Sequence, residues 1–165
     1  MQLKLMRKWL LMVTALSLLG CTKVNSGVVG MFNLDTDLKI VLVAGKDINP
    51  DEKRTPSPLY IRMYELSSDH AFNKADFMEL YEKDDALLGK DLLVKRELNR
   101  LVPEEVQEEN FVLDANTRYV ALFAEFYEYK NSKFKVIFPV TAKNVVKNSV
   151  RVEVTGNSML LQRAR

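Results

Sequence analysis

The sequence predicts a mainly β protein, namely a two-sheet β-sandwich of seven or eight strands with a short inserted helical segment. Two observations carry this prediction: apolar and polar residues alternate in several short runs, and turn residues separate those runs at the spacing typical of sandwiches. With 47% hydrophobic residues, 6 Gly and 5 Pro, the composition is that of a globular chain. A single domain of ordinary size accounts for the chain beyond residue 37.

Three runs show the alternation most clearly, at residues 38–42, 59–64 and 150–154. Each places every second side chain on an apolar face, as a half-buried strand does. Residues 119–127 are apolar on both faces over much of their length, which favours a central strand covered on both sides. Weaker strands are predicted at 134–138, 92–101, 106–113 and 158–162.

Residues 71–88 depart from this alternation. Phe77, Leu80 and Tyr81 recur there at helical spacing, and Gly89 follows at a position that suits the end of a helix. Asn73, with Asp76 three residues later, resembles a capping box. We therefore expect one or two short helices whose aromatic side chains pack on the sandwich.

The N-terminus has the pattern of a secretory signal peptide. Lys4, Arg7 and Lys8 precede an apolar run at 9–19, which is too short to cross a bilayer as a helix. Without the first twenty residues, the chain carries one more acidic than basic residue. The near-neutral charge argues against a nucleic-acid partner.

The end of that run, Leu18-Leu19-Gly20-Cys21, resembles the lipobox of bacterial lipoproteins. The resemblance implies cleavage before Cys21 and a covalent acyl lipid on its thiol; the alternative is an ordinary signal peptide that happens to hold a buried Cys. Residue 22 is Thr, and by the same resemblance an Asp there would favour the inner membrane. The expected organisation is a lipoprotein signal peptide at 1–20, a lipidated Cys and flexible tether at 21–37, and a domain at 38–165 that faces the periplasm from the outer membrane.

Several kinds of chemistry lack the residues they need. A single Cys and a single His exclude a Cys/His zinc cage and an internal disulfide, and no phosphate-binding glycine loop is present. We expect His70 to be exposed. Neighbouring carboxylates are expected to be solvated surface rather than an acid/base pair: Asp84-Asp85, Glu104-Glu105 and Glu108-Glu109. No catalytic residue, metal, other cofactor or small-molecule substrate is therefore predicted.

The loop at 45–57 is the candidate for binding. Three of the five prolines lie within residues 50–58. Because proline fixes φ, such a loop is partly preorganised to present Asp51, Glu52, Lys53 and Arg54 to a partner. The alternative is that Pro56 and Pro58 only prevent edge pairing at the start of a strand.

Behind the lipobox, the segment 49–66 is followed by Phe72, Ala75-Asp76-Phe77, Leu80-Tyr81 and the run 88–93. This ordered set resembles the type VI secretion outer-membrane lipoproteins, the family called TssJ, SciN or VasD. The resemblance implies a transthyretin-like sandwich that tethers the periplasmic C-terminal region of the inner-membrane protein TssM to the outer membrane. With the charged residues of the loop included, the predicted contact set is Asn49, Pro50, Asp51, Glu52, Lys53, Arg54, Pro56, Ser57 and Pro58.

A second class of function stays open on the sequence alone. A lipoprotein of this kind could hold a glycan or a peptidoglycan fragment on the sandwich face. Exposed aromatic side chains would then form the site, and the candidates are Tyr60, Tyr64, Tyr127 and Tyr129.

Overall fold

The computed structural model describes residues 36–141 and 148–162, which form eight strands in two four-stranded sheets. The first sheet has the order β4-β1-β7-β8, with β1 at Thr36–Ala44, β4 at Val106–Leu113, β7 at Asn148–Thr155 and β8 at Ser158–Gln162. The second has the order β3-β2-β5-β6, with β2 at Ile61–Leu66, β3 at Leu92–Glu97, β5 at Tyr119–Ala124 and β6 at Lys135–Pro139. The predicted mainly β, two-sheet architecture is confirmed.

Strand β1 lies inside the first sheet, antiparallel to β4 and parallel to β7. Its side chains alternate between the two faces, so Leu38, Ile40 and Leu42 point inward and are buried. Ile61 and Met63 of β2 enter the same core from the second sheet. The apolar positions of these alternating runs are therefore the ones whose side chains point into the interior of the sandwich.

Two helices cover the outer face of the second sheet: α1 at His70–Lys74 and α2 at Phe77–Leu88. Phe72, Phe77 and Leu80 pack there against Tyr64 and Phe123 in a second apolar cluster. Strand β5 is consequently covered on both sides, as its sequence predicted. Tyr64 is fully buried beneath the helices. The expectation that Tyr64 is an exposed aromatic was wrong, because the alternation of β2 does not reveal the helical cover.

The start of α2 differs from the prediction in its capping residues. Ala75 is extended, so α1 ends there and Asp76 becomes the N-cap of the next helix. The backbone N–H of Glu79 donates to Asp76 at 2.8 Å, and the N–H of Asp76 donates to the Glu79 carboxylate at 3.0 Å. The capping box thus joins Asp76 to Glu79, and the one predicted between Asn73 and Asp76 was wrong. Gly89 follows the helix with φ of +49°, in agreement with its predicted place.

Helix α2 is kinked at Lys83, whose φ and ψ are −139° and 23°. Arg62 lies beneath the kink and donates to the carbonyls of Leu80 and Tyr81, each at 3.2 Å. The same guanidinium pairs with Asp84 at 3.0 Å and with Glu125 at 2.6 Å. Asp84 is only 5% exposed, so its prediction as solvated surface was wrong. The kink turns this carboxylate inward, where it meets the cations of the sheet.

Some boundaries also shift. Strand β5 ends at Ala124 rather than 127, because the N–H of Phe126 turns back to the Ala124 carbonyl at 3.0 Å. Strand β1 begins at Thr36, two residues before the predicted domain start. The predicted signal peptide, Cys21 and most of the tether lie outside the described residues. Of the helices in residues 36–141 and 148–162, none has the length and hydropathy to cross a bilayer.

Candidate partner-binding site

The loop between β1 and β2 is fastened to the first sheet at its start. The N–H of Gly45 donates to the Val154 carbonyl at 2.8 Å, and the Gly45 carbonyl accepts from Glu104 at 3.2 Å. Ile48 then enters the core and is fully buried. The first turn of the loop is therefore packed against the sandwich and hydrogen-bonded to it.

Asn49 anchors the loop. Its side chain is buried, its φ is +45°, and its N–H donates to the Gly156 carbonyl at 2.9 Å. The side-chain Nδ2 donates to the Pro58 carbonyl at 2.9 Å, and Oδ1 accepts from the N–H of Tyr127 at 2.7 Å. Asn tolerates this left-handed backbone better than most residues. One amide thus ties the loop to the segments before β2 and after β5.

The loop tip is closed on itself by Asp51. Its Oδ1 accepts from the N–H groups of Lys53 and Thr55, both at 2.8 Å. The Asp51 carbonyl accepts from the N–H of Arg54 at 2.8 Å, and the N–H of Asp51 donates to the Thr55 carbonyl at 2.9 Å. Arg54 has φ of +62°, so the tip is a tight reversal. A side-chain bond of this kind is how Asp stabilises turns.

The predicted contact residues therefore divide into two groups. Asn49 is buried and serves the fold, while Pro50, Asp51 and Ser57 are partly buried. The remaining members are exposed and form the available surface of the loop: Glu52, Lys53, Arg54, Pro56 and Pro58. The separation of anchor from surface needed the structure, and contact of these residues with a partner stays a prediction.

A depression of about 420 Å³ lies beside the loop. The hairpin between β7 and β8 and the segment after β5 complete its wall. Four of its eight lining residues are acidic and one, Arg54, is basic: Asp47, Pro50, Asp51, Glu52, Arg54, Glu128, Gly156 and Asn157. Such a surface favours a cationic group of a partner. Glu128, Gly156 and Asn157 escaped prediction because the strand topology, rather than sequence proximity, brings them to the loop.

Two aromatic side chains stand at the same end of the sandwich. Tyr60 is 57% exposed and Tyr127 is 61% exposed. Tyr129, by contrast, is partly buried and stacks on Phe77 with 4.4 Å between ring centroids. With Tyr64 buried as well, only two of the four aromatic candidates for a glycan site present most of a ring to solvent.

The side chains able to ligate a metal do not form a metal site in the part of the chain that the structure describes. Within residues 36–141 and 148–162, no three His, Cys, Asp or Glu side chains are arranged to hold a metal ion. His70 is exposed at the start of α1, as expected. This end of the molecule presents a shaped loop, two exposed aromatic side chains and an acidic depression.

Comparison with known proteins places these features in context. The family model described as "Type VI secretion lipoprotein, VasD, EvfM, TssJ" matches residues 36–157. Curated protein sequences gave no match.

Three solved structures share the fold. The T6SS lipoprotein TssJ1 from Pseudomonas aeruginosa has a TM-score of 0.71 at 25% identity, over 79% of this chain and 99% of that one. Lip from Serratia marcescens, a membrane-bound component of the type VI secretion system, has a TM-score of 0.71 at 19% identity, over 79% and 99%. A structure from EAEC, described as the T6SS protein TssM C-terminal domain (869-1107), has a TM-score of 0.62 at 21% identity, over 78% and 98%.

Proposed function

Because the chain belongs to the TssJ family of type VI secretion lipoproteins, we propose that it is a structural lipoprotein that tethers the periplasmic C-terminal region of TssM to the outer membrane. The observation that carries the proposal is the rigid β1–β2 loop, whose exposed charged tip stands on a buried anchor. Loops held on a rigid scaffold commonly carry binding function. The role is one of attachment and needs no catalytic step, no small-molecule substrate and no cofactor besides the acyl lipid.

The direction of β1 supports this role. The predicted lipidation site, Cys21, precedes the strand, which begins at Thr36 and reaches the loop after Ala44. Nine residues of strand span about 30 Å at about 3.3 Å per residue. The loop therefore lies at the end of the sandwich opposite the point where the chain enters, which suits a partner that approaches from the periplasm.

The identity of the partner rests on relatives. One solved structure that matches this fold is described as the T6SS protein TssM C-terminal domain. A second, with a TM-score of 0.67 at 21% identity, is described as a type VI membrane complex. These descriptions support TssM as the proposed partner of this chain, while the loop is proposed as the contact because of its geometry.

Attachment to the membrane would come from the lipid on Cys21. Each buried methylene contributes about 0.8 kcal/mol, and stable anchoring generally takes two acyl chains or an equivalent second signal. A diacylglyceryl group on one thiol supplies both chains. Thr22 in place of Asp supports the outer membrane as the final location.

The proposal is tested by binding of the full-length lipoprotein, solubilised in detergent, to the periplasmic region of TssM. Replacing Glu52, Lys53 and Arg54 by Ala removes the charged tip but keeps Asn49 and Asp51. We expect the affinity to fall about tenfold or more with an unchanged thermal midpoint. The matched control replaces Lys74, Glu82 and Lys90, which are exposed on the helical side and carry the same charges. Equal affinities for the two triple variants would contradict the loop as the contact.

A further inference from the structure

We propose that Tyr60 and Tyr127 are the aromatic anchors of the partner interface, and that the partner surrounds its apolar contact surface with Lys or Arg side chains that face the acidic depression. The inference rests on the proposed function and defines the chemistry of the surface that TssM must present. It extends the contact from the loop to residues that come from two other segments of the chain.

The first observation is exposure. Tyr127 and Tyr60 are the two most exposed aromatic side chains of the described residues, at 61% and 57%. Tyrosine rings offer a large amphipathic contact area and lose little conformational entropy on binding, and they are enriched among residues that dominate interfaces. Both rings stand at the end of the sandwich that bears the loop.

The second observation is that both residues are held by their backbones. Tyr127 donates its N–H to Asn49 at 2.7 Å, and the Tyr60 carbonyl accepts from Glu125 at 2.9 Å. Asn49 also bonds the carbonyl of Pro58, two residues before Tyr60. The backbones that carry the two rings and the base of the loop are consequently fixed relative to one another, and a preorganised backbone loses less freedom when it binds. Asn49 is the positioning residue of this surface.

The third observation is the charge next to Tyr127. Glu128 follows it in the chain and lines the depression with Asp47, Asp51 and Glu52. Within the described residues, Oδ1 of Asn157 in the same lining is buried and accepts no hydrogen bond. These carboxylates outnumber Arg54, the base of the same lining, and each oxygen is an acceptor, so the complementary partner group is a donor with positive charge.

Tyr81 supplies the internal comparison. It is 47% exposed, yet its ring stacks on Phe77 at 5.9 Å and lies 5.5 Å from the Arg62 guanidinium. Its ring belongs to an aromatic cluster on the helical side and already has contact partners within the domain. A Tyr→Ala change there removes the same atoms as at the two proposed anchors.

The test measures binding of the detergent-solubilised full-length chain to the periplasmic region of TssM. Tyr60→Ala and Tyr127→Ala should each weaken binding about tenfold or more, while Tyr81→Ala changes it less than about twofold. Tyr60→Phe and Tyr127→Phe should retain most of the affinity, because the ring supplies the contact. Thermal midpoints of the Tyr60 and Tyr127 variants should stay close to that of the unmodified chain.

The charge of the partner is tested by Asp47→Lys and Glu128→Lys, with Glu82→Lys on the helical side as control. The first two should slow association and flatten its dependence on salt, and the control should do neither. If the unmodified chain does not bind TssM, the proposed function and this inference both fail. If it binds and both Tyr→Ala variants bind equally well, only this inference is overturned. Association that is insensitive to salt in the unmodified chain would overturn the basic partner surface.

Discussion

The hydroxyl of Tyr64 donates to Oδ2 of Asp84 at 2.8 Å beneath helix α2. The same oxygen meets Arg62 at 3.0 Å and Lys95 at 2.7 Å. Burial alone would raise the pKa of Asp84, but the hydrogen bonds from Lys95, Tyr64 and Arg62 outweigh it and lower that pKa. Burial and the bond to Asp84 raise the pKa of Tyr64, so its hydroxyl stays protonated and remains a donor. One carboxylate thereby fastens the kinked helix to the sheet.

Asp84→Asn is expected to lower the free energy of unfolding by about 2 to 4 kcal/mol at neutral pH, since it leaves two cations without their shared partner. A carboxyl whose pKa is lower in the folded state contributes stability above its unfolded pKa of about 4, and loses it as pH falls through the folded pKa. Urea unfolding should therefore show a constant deficit from about pH 5 to 8 that shrinks below about pH 4. A deficit that grows on acidification would contradict this assignment. Glu82→Gln, at an exposed position of the same helix, is the control.

Glu65→Gln is expected to cost about 2 to 3 kcal/mol of stability. The Glu65 carboxylate is fully buried and accepts from Arg96 at 2.8 Å on one oxygen. Its other oxygen accepts from the N–H of Asp114 at 2.7 Å and the hydroxyl of Thr117 at 2.9 Å. In Glu65→Gln, an NH₂ group replaces one of these oxygens and would face hydrogen-bond donors, which leaves those donors without an acceptor. Urea midpoints for this variant and for the exposed Glu97→Gln measure the difference, and equal midpoints would show that the turn at Asp114 needs no carboxylate.

Asn49→Ala should destabilise the domain by about 2 kcal/mol and also weaken binding to TssM. It leaves the Tyr127 N–H and the Pro58 carbonyl without their side-chain partner, and it places Ala at a positive φ. Thermal unfolding and a binding titration on the same preparation measure both effects. Lys53→Ala, at the exposed tip, should leave the unfolding midpoint unchanged. An Asn49→Ala chain with a normal midpoint would mean that the loop is held by its backbone bonds alone.

Gly89→Ala should cost about 1 to 2 kcal/mol. The φ of +49° is unfavourable for a residue with a Cβ, although an added Cβ would find no atom within 4 Å. The cost is therefore backbone strain and not a clash, and the larger Gly89→Leu should cost no more than Gly89→Ala does. A steep increase with side-chain size, seen in urea midpoints, would point to steric exclusion instead.

Cys21→Ser should abolish acylation and release the chain from the membrane. Thr22→Asp should keep the lipid but favour the inner membrane, while Thr22→Ser changes neither property. Intact mass and fractionation of the envelope on a density gradient measure these outcomes. A Cys21→Ser chain that still fractionates with the outer membrane would exclude the lipid as the anchor.

Local pattern was sufficient for most of the fold. The strands at Val106–Leu113 and Ser158–Gln162 have the predicted boundaries, because alternation and turn residues specify a half-buried strand locally. Tyr64 and Asp84 were assigned to the wrong environment, since each is buried where α2 packs on β2, in contact with the other twenty positions away in the chain. Those contacts depend on how α2 lies across β2, which no periodicity reports.

The candidate site shows the same division. Its prolines marked the loop, but the burial of Asn49 follows from Tyr127 and Gly156, which the sheet order brings to it. The depression likewise gathers residues from three separate segments. The hydrophobic pattern of the sequence predicts where strands and helices lie, whereas the residues that share a surface depend on how the strands are ordered in the sheets.

The course of β1 has a mechanical consequence. Tension between a lipid ahead of Thr36 and a partner held at the loop would enter at one end of this strand and leave at the other. The strand is flanked on both sides, with eight register pairs to β4 and seven to β7. A pull along its axis loads these ladders in shear, so their hydrogen bonds share the force at once and do not open one after another. The position of β1 inside its sheet suits a domain that must bear load.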